Sequence, residues 1–170
     1  IEWKWELIPI NDTTSTADAS LEKFINKYKD KVDEKYTAII TRFNQKLIHP
    51  LREEETTLGN IIADALADTA HTDVMLVGSG SIRGLELGPV VSLGDLKSCY
   101  PYNDALTRFA INGTQLKKIF SHIMRPENRT GEGECFQING KVRAVYSESL
   151  SKLVSLTVKD IEVIEDHMYT

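Results

Sequence analysis

The sequence predicts an α+β domain, a mixed β-sheet with flanking helices. Three observations point there. Apolar residues recur at helical spacing in three separate stretches, short runs of β-forming residues lie between them, and the two kinds of element mix without the strict alternation of a βαβ protein. The length of 170 residues suits one domain, or one domain plus a connector.

Taken in order, Ile1, Trp3, Trp5 and Leu7 alternate with Glu2, Lys4 and Glu6, the period of a half-buried strand over residues 1–9. The polar run Asn11 to Thr16 follows as a linker. Leu21, Phe24, Ile25, Tyr28, Val32 and Tyr36 then recur at helical spacing, an amphipathic helix. Thr37 to Phe43 is rich in β-formers and reads as a strand. A second helix starts near Thr57, with Thr56 or Thr57 as its cap and Leu58, Ile61, Ile62, Ala65 and Leu66 as its apolar face.

Val74 to Val77 is a continuous apolar strand, and Ser92 can cap a short helix through Leu96. Ala105 to Ile111 is expected to be a strand. Gly113-Thr114 then opens a helix carrying Leu116, Ile119, Phe120 and Ile123. Arg125 to Gly133 reads as a loop. Two or three strands then follow, from Cys135 to Ile138, Val142 to Tyr146 and Leu153 to Val158. Asn139-Gly140 between the first two is a hairpin signal.

Composition narrows the function. The net charge of −5 argues against non-specific binding to nucleic acid or an anionic membrane, so any phosphate site must rest on a local group of cations. No apolar run approaches the roughly 20 residues that span a bilayer. The chain starts at Ile1 within a strand pattern and without a signal peptide, which suggests a piece excised from a longer protein. Cys99 and Cys135 form neither a C-x-x-C pair nor a zinc pattern and read as buried thiols, with one disulfide left open. The four histidines, His49, His71, His122 and His167, show no metal-binding spacing. Sequons at Asn11, Asn112 and Asn128 matter only in a eukaryotic secreted protein, and Asn112 sits where a helix begins.

The turn Gly78-Ser79-Gly80-Ser81-Ile82-Arg83 is the best candidate site. Its glycines allow close approach of a ligand and positive φ, successive N–H groups can form an anion nest, and Arg83 can fork onto phosphate or carboxylate oxygens. A tight strand exit with a surface arginine is the competing reading. Arg52 either joins such a site or pairs with the acids Glu53 to Glu55 that precede the second helix. In Cys99-Tyr100-Pro101-Tyr102-Asn103-Asp104, Tyr102 can be a stacking platform for a base or a ring lying over the core. Asp104 can accept from a ribose or amino group or simply cap the turn.

Together these pieces carry a resemblance. The order T-T-L-G-N-x-I-A-D-A, strand, G-S-G-S-I-R-G, G-P-V-x-x-x-G-D-L, P-Y-N-D and N-G-T-Q-L-K resembles the C-terminal, substrate-recognising domain of the 5'-nucleotidase family, which includes UDP-sugar hydrolases. The match runs from about residue 37 to 170. Residues 1–10 are similar to the last strand of that family's metallophosphatase domain, and residues 11–36 to its linker and bridging helix.

The resemblance implies a nucleotide or nucleotide-sugar ligand, with Arg83 and Arg52 on phosphate, Tyr102 stacked on the base and Asp104 bonded to it. Gly78, Ser79, Gly80 and Ser81 would supply the surrounding turn. Catalysis would fall to an upstream metallophosphatase domain holding two divalent ions, zinc, manganese or similar. Of that domain's D-x-H, G-D, N-H-E or N-H-D and G-H-x-H motifs only the short Gly94-Asp95 occurs here, a chance match. The implied parent is a phosphoric ester hydrolase that is secreted, periplasmic or on the cell surface, and this chain alone is expected to be inactive.

Three departures bear on specificity. Gly78 stands where the family has Asn, Asp104 only accepts where the family's Asn also donates, and the family continues past Thr170 into a G-G-D-G-[FY] loop that completes the base clamp. The competing reading is a non-catalytic module that has lost nucleotide recognition. A purely structural α+β domain is the third.

Overall fold

The computed structural model describes residues 3–11, 13–130 and 135–170. The chain forms two compact units, Ile1–Ala38 and Ile39–Thr170. In the first, helix α1 (Ala19–Tyr36) starts where Asp18 accepts the amides of Ser20 and Leu21. Its apolar stripe, from Leu21 and Phe24 to Tyr36, is exposed. The strand expected over residues 1–9 is not formed: residues 3–10 carry no regular structure, and Ile1 and Glu2 lie outside the described residues. Alternation supplies two faces, but a strand also needs a neighbour to bond its edge, and none pairs with this segment among the described residues.

The second unit holds α2 (Thr57–Ala70), α3 (Leu93–Cys99) and α4 (Gly113–Ile123). The sequence reading of their starts holds. Thr56 Oγ1 accepts the Gly59 amide at 3.0 Å and caps α2. The neighbouring Thr57 hydroxyl serves a different bond, accepting the Ile48 amide at 3.0 Å. Ser92 and Asp95 form a reciprocal capping box on α3, and Asn112 and Gln115 form another on α4. Asp95, the acid of the chance G-D match, thus has a structural role.

The α+β class stands, and among the described residues every ladder is antiparallel, the strands forming small antiparallel sheets where one mixed sheet was expected. β1 (Ile39–Arg42) pairs with β5 (Val90–Ser92), and β2 (Leu47–Ile48) with β4 (Glu86–Leu87). β3 (Leu76–Gly78) pairs with β7 (Phe136–Ile138), Val77 opposite Gln137. β8 (Val142–Ser147), β9 (Lys152–Val158) and β10 (Ile161–Glu162) form a three-stranded sheet. β6 (Ile111–Asn112) pairs with β11 (Met168–Tyr169). Of the expected strand Ala105 to Ile111 only its last residue is in a ladder. Part of the loop expected from Arg125 to Gly133 is a 3-10 turn, Pro126–Arg129, and residues 131–133 lie outside the described set.

The Asn139-Gly140 hairpin is also corrected, because β7 pairs with β3 and β8 with β9. The turn itself forms, the Val142 amide donating to the Asn139 carbonyl at 3.0 Å, but the strands it joins pair elsewhere. Asn139 is wholly buried, accepting the Met75 amide at 2.8 Å and donating to the Asp73 carbonyl at 3.2 Å. The Gly140 amide donates to Asp64 Oδ1 at 2.7 Å.

Two apolar clusters result. Leu58, Ile62, Val77, Ile82, Leu87 and Val91 pack one, between α2 and β3. Leu116, Phe120, Val142, Leu156, Val158 and Tyr169 pack the other, between α4 and the three-stranded sheet. The first cluster anchors both ends of the glycine-serine turn, through buried Val77 and Ile82.

Candidate functional site

Strand β3 ends at Gly78, and Ser79–Ser81 form one 3-10 turn before Ile82 returns to the core. Ser79 is buried and Gly80 exposed. The only positive-φ glycine among the described residues is Gly88, so the turn does not use the left-handed backbone its glycines allow. Its glycines matter by lacking side chains. A Cβ on Gly80 would meet Arg52 Nη1 at 3.9 Å, and one on Gly78 would meet Ser81 Oγ at 3.7 Å, both ordinary contacts.

Arg52 and Arg83 converge on Gly80 from two sides of the sequence. Arg83 Nη1 donates to the Gly80 carbonyl at 3.4 Å, and Arg52 Nη1 stands across the face of Gly80 that lacks a side chain. Both guanidiniums are exposed, and among the described residues neither forms an ion pair. The acids Glu53 to Glu55 therefore do not neutralise Arg52 by direct pairing. Two adjacent cations without a carboxylate partner make a local positive potential on a chain of net charge −5.

A buried polar network lies beneath the turn. Gln137 Oε1 accepts the Thr56 amide at 2.9 Å. Its Nε2 donates to the Glu54 carbonyl at 2.7 Å and to Ser79 Oγ at 2.9 Å. His49 adds Nδ1 to Thr56 Oγ1 at 2.8 Å and Nε2 to the Ser79 carbonyl at 3.2 Å. A carbonyl only accepts, so Nε2 carries the proton and neutral Nδ1 accepts from the Thr56 hydroxyl. Burial pushes the His49 imidazole below its ordinary value of 6.5. The bond to Ser79 opposes that shift, and the Arg52 charge adds to it. Sequence reading missed both residues. The one signal for Gln137 is a polar side chain between Phe136 and Ile138 in an apolar strand, and His49 has none.

The loop carrying Tyr102 and Asp104 is tied to the turn at its root, where the Cys99 carbonyl accepts the Arg83 amide at 2.7 Å. Beyond that point residues 101–110 are exposed, and neither Tyr102 nor Asp104 bonds to the turn among the described residues. Tyr100, not Tyr102, packs on the core. Burial raises the Tyr100 phenol above its ordinary value, and the Asp104 charge adds to the rise.

On its other side Arg83 borders a cavity of about 430 Å3 that also contains Glu86 and Asp95, whose charges oppose an anion. A cavity of about 500 Å3, lined by Asn60, Phe120, Met124 and Val142, contains none of the expected site residues. Cys99 and Cys135 are both free thiols. Among the described residues no group of three or more His, Cys, Asp or Glu could hold a metal ion. No described helix is long and apolar enough to cross a membrane.

The chain thus has an α+β fold of small antiparallel sheets and flanking helices, with Arg52 and Arg83 meeting at a strand exit. Residues 35–170 match the family model for the C-terminal domain of 5'-nucleotidase, and the chain belongs to that family. It is 25% identical over 168 residues to the endonuclease YhcR of Bacillus subtilis, which covers 97% of this chain and 13% of that protein. It is 26% identical over 161 residues to the venom 5'-nucleotidase of the snake Macrovipera lebetinus, covering 83% of this chain and 39% of that one. The fold matches the crystal structure of a 5'-nucleotidase precursor from Thermus thermophilus with a TM-score of 0.66 and 19% identity, over 87% of this chain and 31% of that chain. This chain thus spans well under half the length of these relatives.

Proposed function

We propose that this chain is the substrate-recognition domain of a 5'-nucleotidase-like phosphoesterase, a hydrolase of nucleotide phosphate esters. Arg52 and Arg83 hold the phosphate against Gly80, framed by Gly78, Ser79 and Ser81. Tyr102 stacks on the base and Asp104 accepts from it. Hydrolysis belongs to a metallophosphatase domain upstream in the same protein, with two divalent ions supplied there. The chain by itself binds without turning over. In this division residues 1–10 close the upstream domain, residues 11–36 connect, and residues 37–170 recognise the nucleotide. The protein works outside the cytoplasm, as the venom and precursor relatives suggest.

The meeting of Arg83 at the Gly80 carbonyl and Arg52 at its bare face, neither in an ion pair among the described residues, carries the reading. The relatives' names share one substrate chemistry, since nucleotidase and endonuclease both act on phosphate esters of nucleotides. The test is an NMR titration of the chain with AMP, UDP-glucose and inorganic phosphate. Shifts around Arg83, Gly80 and Tyr102 that vanish in Arg83→Ala support it. No shift at millimolar ligand with any of the three would overturn it.

One observation favours a second reading, a binding module that no longer recognises nucleotides. Tyr102 and Asp104 are exposed, and neither bonds to the turn among the described residues. That module would take phosphate alone and give no shifts at Tyr102 with AMP.

A further inference from the structure

We propose that buried His49 is a positioning residue for the Arg52–Gly80–Arg83 site and that its protonation is linked to anion binding, an inference that rests on the anion-binding reading above. The geometry starts at one peptide plane. In a trans peptide the C=O and the following N–H point in opposite directions. His49 Nε2 holds the Ser79 carbonyl on the buried side at 3.2 Å, and the Ile82 amide reaches the same oxygen at 3.2 Å. The Gly80 N–H therefore turns away from the buried side, at an exposed residue that Arg83 meets at its carbonyl and Arg52 at its bare face. An oxyanion seated on the arginines meets that amide as a third donor, in a direction fixed by His49.

The same network accepts a second proton on His49 without orphaning a group. Protonated Nδ1 donates to Thr56 Oγ1, which still accepts the Gly59 amide, and the Thr56 hydroxyl turns to Gln137 Oε1 at 3.2 Å. The obstacles to the charge are burial and Arg52. Thr56 from α2, Ser79 from the turn and Gln137 from β7 are uncharged, and Arg83 stands beyond Gly80. An anion on the arginines offsets the repulsion from Arg52, so its binding favours protonated His49. By reciprocity, acid tightens anion binding by the same factor.

Sulfate is the probe, because it stays a dianion where phosphate changes charge. The His49 imidazole is titrated by NMR with and without sulfate, and sulfate affinity is measured from about pH 7.5 to about pH 5. The comparison uses His49→Gln, whose amide can still donate to Ser79, and His49→Leu, which cannot. Sulfate should raise the His49 pKa, and affinity should rise about fivefold across that range. His49→Gln should bind like the parent at the higher pH but lose the rise. His49→Leu should bind about fivefold more weakly throughout.

Sulfate that shifts the Arg52 and Arg83 signals while leaving the His49 pKa unmoved would overturn the linkage alone. A His49→Leu protein that binds as tightly as the parent would overturn the positioning role. If that variant does not fold, the parent titration and His49→Gln decide. Sulfate and AMP that both leave the two arginines unshifted would overturn the anion site itself, and this inference with it.

Discussion

The Gln137 side chain lies so close to Gly59 that a methyl group at Gly59 would overlap its Oε1, Cδ and Cγ atoms. Glycine inside α2 thus lets β7 deliver the amide that binds Thr56, Glu54 and Ser79 together. Gly59→Ala would gain about 1 kcal/mol of helix propensity. Displacing Gln137 forfeits three hydrogen bonds at about 1 kcal/mol each. A net loss of about 2 kcal/mol is expected, read as a lower urea midpoint at unchanged slope.

The arginine pair should act as a unit. Arg52→Ala and Arg83→Ala are each expected to weaken AMP binding by about tenfold, about 1.4 kcal/mol. The double variant should lose less than the product, because one phosphate cannot use a lone guanidinium as it uses two. Stability should barely change, since the Arg83 bond to Gly80 is long and neither side chain is in an ion pair among the described residues. Calorimetric titration of the four proteins checks the affinities, and their urea midpoints check the stability. Simple additivity would mean that the two arginines serve separate ligand groups.

Gly80→Ala separates ligand space from fold. The added Cβ meets only Arg52 Nη1, at 3.9 Å, and the turn has no positive φ to strain. Its melting temperature should match the parent or rise slightly, because alanine restricts the unfolded chain more. Its phosphate affinity should nonetheless fall, since the methyl occupies the face on which the anion rests. Unchanged affinity would place the anion elsewhere.

What the sequence made legible follows from how local each feature is. The α2 and α4 helices carry apolar periodicity, and α3 has a serine at its start, so the cap at Thr56 or Thr57, the cap at Ser92 and the helix opening at Gly113 were readable in isolation. Two-residue strands such as β2, β4 and β11 are too short to show a period, and each exists only because a distant segment pairs with it. Asn139-Gly140 misled because the turn forms, the Val142 amide bonding the Asn139 carbonyl, while the strands on either side pair with distant segments and not with each other. At the site, Arg83 announced itself at the end of a glycine-rich turn. His49 and Gln137 did not, since what makes them matter is their meeting with Thr56 and Ser79, and Gln137 lies 81 positions from Thr56.

Acid should weaken the fold in two windows. Asp73 accepts from Lys159 Nζ at 2.7 Å and from Thr170 N at 3.3 Å, and these bonds, the lysine's first, hold its carboxyl below the ordinary value of 3.8. As the pH falls below 3.8 the unfolded chain takes up the proton before the folded one does. The stability this pair contributes is therefore complete above 3.8 and is lost as the pH drops through the folded value. His49 has the same sign at higher pH. Its folded value lies below 6.5, so its contribution is complete above 6.5 and declines toward the folded value. Urea midpoints measured from about pH 8 to about pH 2 should fall in both windows. Asp73→Asn should flatten the lower decline and leave the upper one, while His49→Gln should do the reverse. An Asp73→Asn protein that keeps the whole lower decline would assign it to other carboxylates, of which Asp68, held low by Lys141, is the next candidate.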